Sequence, residues 1–99
     1  MSVYVIVQLT VHDRNRYDVY AGQLVATMTQ HGGKVLVADD APRVLEGEWS
    51  GNRVVMLQFP DRDAFRTWAG SPEYQAIVGD RHASSDAVIT LVRSLPDGG

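Results

Sequence analysis

An α+β fold, with two helical stretches laid on one face of a four-stranded antiparallel sheet, is predicted for this chain by three observations. Four runs rich in β-branched residues have strand length. Two amphipathic stretches separate them in the order β-α-β-β-α-β. Capping residues and glycine or proline stops punctuate the joints between them.

The first run, "SVYVIVQLTV", reads as a strand. In "HDRNRYDVYAGQLVATMTQHGG", Asp13 is a suitable N-cap, and Tyr17, Tyr20, Ala21, Leu24, Val25 and Met28 recur at helical spacing. Gly32 suits the left-handed position that ends such a helix. "KVLVA" follows as a second strand, and "DDAPR" is a turn, because Pro42 cannot sit in a central strand. "VLEGEW" reads as a short extended continuation, and "SGN" turns the chain into the strand "RVVMLQF". Pro60 and Asp61 open a helix that Gly70 interrupts. Ser71 with Pro72 starts a further helical segment bearing Tyr74, Ile77 and Val78. "DAVITLVRSL" closes the chain as a strand. This order is the split βαβ, ferredoxin-like arrangement.

Ninety-nine residues at 44% apolar and 21% charged content are enough for one domain and one core, expected over residues 1–95, with 96–99 a flexible tail. A net charge of −3 with no basic run argues against a nucleic-acid surface. The absence of cysteine excludes disulfides, thiolate nucleophiles and cysteine metal sites. "MSVYVIVQLTVHD" lacks a basic leader region and is too short an apolar run for a membrane span, so a cytoplasmic protein is expected. His12, His31 and His82 are too scattered for a metal set, and no phosphate-binding glycine loop or nucleophile elbow occurs; no metal and no cofactor are expected.

Both faces of the sheet are greasy. Val3, Val5, Val7 and Leu9 oppose Tyr4, Ile6 and Gln8; Val55, Leu57 and Phe59 oppose Val54, Met56 and Gln58; Ala87, Ile89 and Leu91 oppose Val88, Thr90 and Val92. A sheet with one wet face should alternate apolar with polar. The helices cover only one side, so a second copy packing sheet against sheet is expected to cover the other.

The pieces "HGGKVLV", "RVLEGEW", "RVVMLQFPD" and "SPEYQAIVGDR" resemble the DUF1330 family, a domain of unknown function in the dimeric α/β-barrel superfamily, over nearly the whole chain. The resemblance implies a ferredoxin-like protomer, a dimer whose sheets form a barrel, and ligands held between helices and sheet. The superfamily includes cofactor-independent monooxygenases, lactone isomerases, polyketide cyclases and haem-handling proteins, and fold alone does not choose among them. This chain departs from the family in carrying His31 where an aromatic usually precedes the glycine pair, and Ala69 where a tyrosine usually follows the tryptophan. Against the haem-degrading pattern, Val78 stands where the iron-binding histidine belongs, which disfavours haem.

Candidate site residues follow. His31 either serves as an acid–base or simply finishes its helix, where the carbonyl end favours a protonated imidazole. Glu46 is its catalytic partner or an alternative base, and with Arg53 it is placed to hold a polar group against Trp49. Arg81 suits a carboxylate or a developing enolate. Tyr74, Arg81 and Ser84 match recurrent polar positions of the family, and Tyr17, Tyr20 and Trp68 form an aromatic set that serves either core or ligand. Together these predict cofactor-independent isomerase, cyclase, hydratase or lyase chemistry on a small polar or anionic, possibly aromatic, metabolite. A non-catalytic small-molecule-binding or structural dimer is the alternative, and cofactorless oxygenation the third.

Overall fold

The computed structural model describes residues 1–96. Seven main elements follow in order: β1 (Val3–Val11), α1 (Arg14–Met28), β2 (Lys34–Asp39), β3 (Arg53–Phe59), α2 (Arg62–Ala69), α3 (Pro72–Ser84) and β4 (Ser85–Arg93), with a single 3₁₀ turn, Thr29–His31, after α1. The strands form one antiparallel sheet in the order β2-β3-β1-β4. The helices lie on one side, giving a slab of 36 × 36 × 16 Å. This is the expected ferredoxin-like arrangement.

The strand alternation decides which side is core. Val3, Val5, Val7 and Leu9 of β1 and Val55, Leu57 and Phe59 of β3 are buried beneath the helices. They meet Tyr17, Tyr20, Leu24 and Met28 of α1, Trp68 of α2, and Tyr74, Ile77 and Val78 of α3. Val25, counted with the buried stripe on spacing, instead points outward with Val19. On the opposite sheet face Val37 and Val92 are exposed, and Val88 is 62% exposed. Tyr4, Ile6, Val54 and Met56 are partly covered there. That greasy, helix-free face is present as the alternation predicts.

The joints work as the capping residues require. The Asp13 carboxylate accepts the Arg16 N–H at 3.2 Å, and that of Asp61 accepts the Ala64 N–H at 2.7 Å. Ser71 Oγ accepts the Tyr74 N–H at 3.2 Å and donates to the Trp68 carbonyl at 2.7 Å, so one hydroxyl joins α2 to α3. The glycine pair has two separate causes. Gly32 is left-handed, with φ of 73°. Gly33 has no room for a side chain: a Cβ would stand 2.6 Å from Phe59 Cε1 and 3.0 Å from Met28 Cε.

Residues 41–52 differ from expectation. "VLEGEW" forms no extended continuation; the segment has no regular structure. Asp39 Oδ1 accepts the Ala41 N–H at 2.8 Å, turning the chain out of β2, and Gly47 takes a positive φ of 90° that no strand allows. At the far end Asn52 clamps Val11 from both sides. Its Oδ1 accepts the Val11 N–H at 2.8 Å, and its Nδ2 donates to the Val11 carbonyl at 3.0 Å. The segment is thus an arm with both stems fixed. Of the tail expected at 96–99, residues 97–99 lie outside the described residues.

Candidate functional site

A cavity of about 130 Å³ lies between helices and sheet. Its floor is Val5, Val7, Val55 and Leu57; Tyr17 and Tyr20 descend from α1, Trp68 from α2, and Tyr74 and Arg81 from α3. Tyr17 and Tyr20 project from successive turns of α1, and Tyr74 and Arg81 stand two turns apart on one face of α3, which is how helical spacing delivers them to one hollow. Trp68 is held by a relay: its Nε1–H donates to Thr27 Oγ1 at 3.0 Å, and that hydroxyl donates to the Leu24 carbonyl at 2.7 Å. The indole then packs 4.0 Å from the Tyr74 ring, centroid to centroid.

The polar groups of this apolar hollow are few and unequal. The Tyr20 and Tyr74 hydroxyls lie 2.9 Å apart, one donating to the other. Burial first, then the Tyr74 hydroxyl beside it, pushes the Tyr20 phenol well above its ordinary value, so it stays protonated at neutral pH. Arg81 brings a cation. Its Nε–H is buried and has no hydrogen-bond partner among the described residues, while the outer Nη2 reaches His82 Nε2 at 3.3 Å. An unpaired buried donor on a charged group is costly, and such exceptions call for an explanation.

A second network steadies the Tyr17 wall. Arg53 Nε donates to the Tyr17 hydroxyl at 3.1 Å, and Arg53 Nη1 pairs with Asp40 Oδ1 at 2.6 Å. Arg14 grips both oxygens of Asp40, at 2.8 and 2.9 Å. The hydrogen bonds from Arg14 and then Arg53 hold the Asp40 carboxyl far below the usual carboxylate range. Burial works against the Arg53 charge, but the Asp40 contact outweighs it and the guanidinium binds its proton more tightly than usual. Asp39 serves the turn, as adjacent aspartates at a strand exit suggest; Asp40 does not, and bridges three elements instead.

Of the expected site residues, the cavity gathers Tyr20, Trp68, Tyr74 and Arg81, and Arg53 touches it through Tyr17. The others lie elsewhere. His31 ends the 3₁₀ turn before Gly32, with Nε2 buried and unpartnered, outside the cavity lining. Glu46 is exposed on the arm, and Arg53 pairs with Asp40 rather than with it. Trp49 lies over Gly51, where any Cβ would collide with the indole. Ser84 is fully buried, its carbonyl accepting the His12 and Asp13 N–H groups at 2.9 and 3.1 Å. Asp40 is the residue of this network that no short-range spacing marks, since it meets its partners 26 and 13 residues away.

Fold and hollow together define a small ferredoxin-like protein with an aromatic, single-cation cavity under its helices. The family model described as Domain of unknown function (DUF1330) matches residues 2–95, and the chain belongs to that family. A search of curated proteins finds no match. Among solved structures, the chain is similar to a protein of unknown function from Rhodopseudomonas palustris, at 18% identity and a TM-score of 0.84, covering 95% of this chain and 82% of that one. It is similar to a dimeric ferredoxin-like protein of unknown function from Jannaschia sp. CCS1, at 17% identity and 0.79, covering 95% and 100%. It is also similar to SnoaB, a cofactor-independent oxygenase from Streptomyces nogalater, at 19% identity and 0.66, covering 97% and 98%. These likenesses establish the fold. No helix among the described residues is long and apolar enough to cross a membrane.

Proposed function

We propose that the chain acts, as a homodimer joined through its open sheet faces, on a small anionic ring compound bound in the helix–sheet cavity. The observation that carries this reading is Arg81, whose buried Nε–H is unpaired beside an apolar hollow. A carboxylate or phenolate would satisfy it with a charge-assisted hydrogen bond. Size limits the ligand: an apolar protein cavity of about 150 Å³ takes up benzene, whereas drug-sized ligands need roughly 300 Å³ or more. At about 130 Å³ the hollow suits a single ring. The greasy face and the dimeric description of the Jannaschia relative support the homodimer.

The chemistry proposed is cofactor-independent proton transfer. The α-proton of a ring ketone passes to a solvent hydroxide, giving water and an enolate; Arg81 stabilises that enolate, and the Tyr20 hydroxyl, kept neutral by burial, donates a hydrogen bond to the developing oxyanion. The acid–base roles expected of His31 and Glu46 are not carried into this proposal, because neither lines the cavity. A second reading, a binder without turnover, is favoured by the absence of a carboxylate or imidazole from that lining.

Calorimetric titration with benzoate and its neutral isostere benzamide tests the site. Benzoate should bind at least tenfold more tightly and alter Trp68 fluorescence; equal affinity, or binding that leaves Trp68 unchanged, overturns the assignment. Solvent deuterium entering an enolisable ring ketone separates the two readings. Exchange faster than in buffer supports the enzyme, and exchange at the buffer rate leaves the binder.

A further inference from the structure

Phe65 forms a wall of the cavity and also of a second, open groove of about 1330 Å³ at the end of the sheet. The groove has an apolar floor of Val3, Phe65 and Leu91, and three arginines, Arg62, Arg66 and Arg93, stand around it. Arg62 and Arg66 are one helical turn apart on α2, and Arg93 faces the same side from β4, opposite Val3. Among the described residues none of the three is ion-paired. In a chain of net charge −3, this is a local concentration of positive charge with no ion-pair partner among the described residues.

The complementary surface lies on the arm. Leu45 is 88% exposed, and Val44, Glu46 and Glu48 beside it are exposed as well. A twelve-residue segment without secondary structure, pinned at both stems, is unusual unless it serves a purpose. Arg43 precedes the apolar tip, but the two carboxylates that follow it, Glu46 and Glu48, leave this stretch net negative, and with Leu45 they match the apolar floor ringed by guanidinium groups.

The arm cannot reach its own groove. It leaves the sheet beside Leu9 and Val11, whereas the groove lies beside Val3 and Arg93. Those points stand at opposite ends of β1, about 27 Å apart at strand rise. An out-and-back loop of this length extends at most about 20 Å. Two sheets stacked face to face with strands reversed bring the arm end of one over the groove end of the other. A two-fold axis then repeats the contact. The groove includes Val92, from the open face, and Leu91, from the helix face, so it runs around the sheet end between them. The protomer also exposes 6255 Å², against about 5,600 Å² expected for a compact monomer of its mass.

We propose that the 41–52 arm of one copy docks in the partner's arginine groove, setting Leu45 on its apolar floor and Glu46 and Glu48 against Arg62, Arg66 and Arg93. The inference rests on the homodimer reading above and deepens it. The arm closes over Phe65, so each cavity is bounded on its outer side by the other copy.

The chain has no cysteine, which makes the test clean. Equimolar Leu45→Cys and Arg66→Cys variants, mixed and oxidised, should give a disulfide-linked dimer on a non-reducing gel that neither variant gives alone. By sedimentation, Glu46→Arg with Glu48→Arg should weaken dimerisation at least tenfold. Adding Arg62→Glu and Arg66→Glu to that chain should restore it. A dimer that neither cross-links nor responds to charge reversal overturns the arm contact and leaves the homodimer reading standing. A monomeric wild-type protein overturns both. Inorganic phosphate binding to Arg62 and Arg66 without any cross-link assigns the groove to a small anion and overturns the arm contact.

Discussion

Replacing Arg81 with methionine is expected to strengthen the fold while removing the ligand. Leaving a buried donor unsatisfied costs about 1–3 kcal/mol, and the Arg81 Nε–H is such a donor. Methionine retains a flexible apolar stem of similar reach, fills irregular space, and matches arginine in helix propensity. What is lost is the 3.3 Å contact to His82 at the exposed end, which is long and contributes little. The balance is a gain of about 1 kcal/mol, which for a chain of 99 residues corresponds to roughly 4–8 °C in Tm. Urea and thermal unfolding at one fixed protein concentration read this directly, since self-association would otherwise shift the midpoint. Benzoate binding should fall by tenfold or more in the same variant. A loss of 1 kcal/mol or more in stability would refute the reasoning, because it would mean that the guanidinium is paid for by contacts within the fold.

Two further outcomes are expected. Gly33→Ala should destabilise by about 1–3 kcal/mol in urea, because its Cβ meets Phe59, which is fully buried, and the substitution overpacks the core at the helix end; an unchanged midpoint would show that Phe59 yields freely. Asp40→Asn should cost at most about 1 kcal/mol at pH 7, since the carboxylate is half exposed. Its folded value is lowered, so its contribution is complete above the ordinary aspartate value of about 4 and disappears as pH falls through the lowered one. The gap between variant and wild type should therefore close in acid, and a gap that widens there would contradict the bridge.

The fold was legible because its signals are local. Asp13, Gly32, Asp61 and Ser71 act within one turn of where they stand, and strand alternation needs only neighbours. The arm misled because Val44, Leu45 and Trp49 are strand-prone residue types, whereas Gly47 and the Asp39 turn set the backbone. Half the site was legible for the same local reason: Tyr20 follows from the helical stripe, and Tyr74 and Arg81 share a helix. The pairings were not. Trp68 meets Thr27 across 41 residues, and Arg53 selects Asp40 over the nearer Glu46 because Arg14 holds that carboxylate in place. His31, in turn, occupies the helix end that its neighbour Gly32 dictates.

The Asn52 side chain behaves like one extra peptide unit, giving Val11 a rung that uses no further residue of the ladder. Strand alignment is thereby settled before the excursion between β2 and β3 is counted. Lengthening that excursion costs little, about 0.6 kcal/mol for each doubling. Its span can be adjusted independently of the folded scaffold, so under the proposed arm contact descendants of this gene can tune how firmly two subunits embrace, or which subunit they accept, without renegotiating how either one folds.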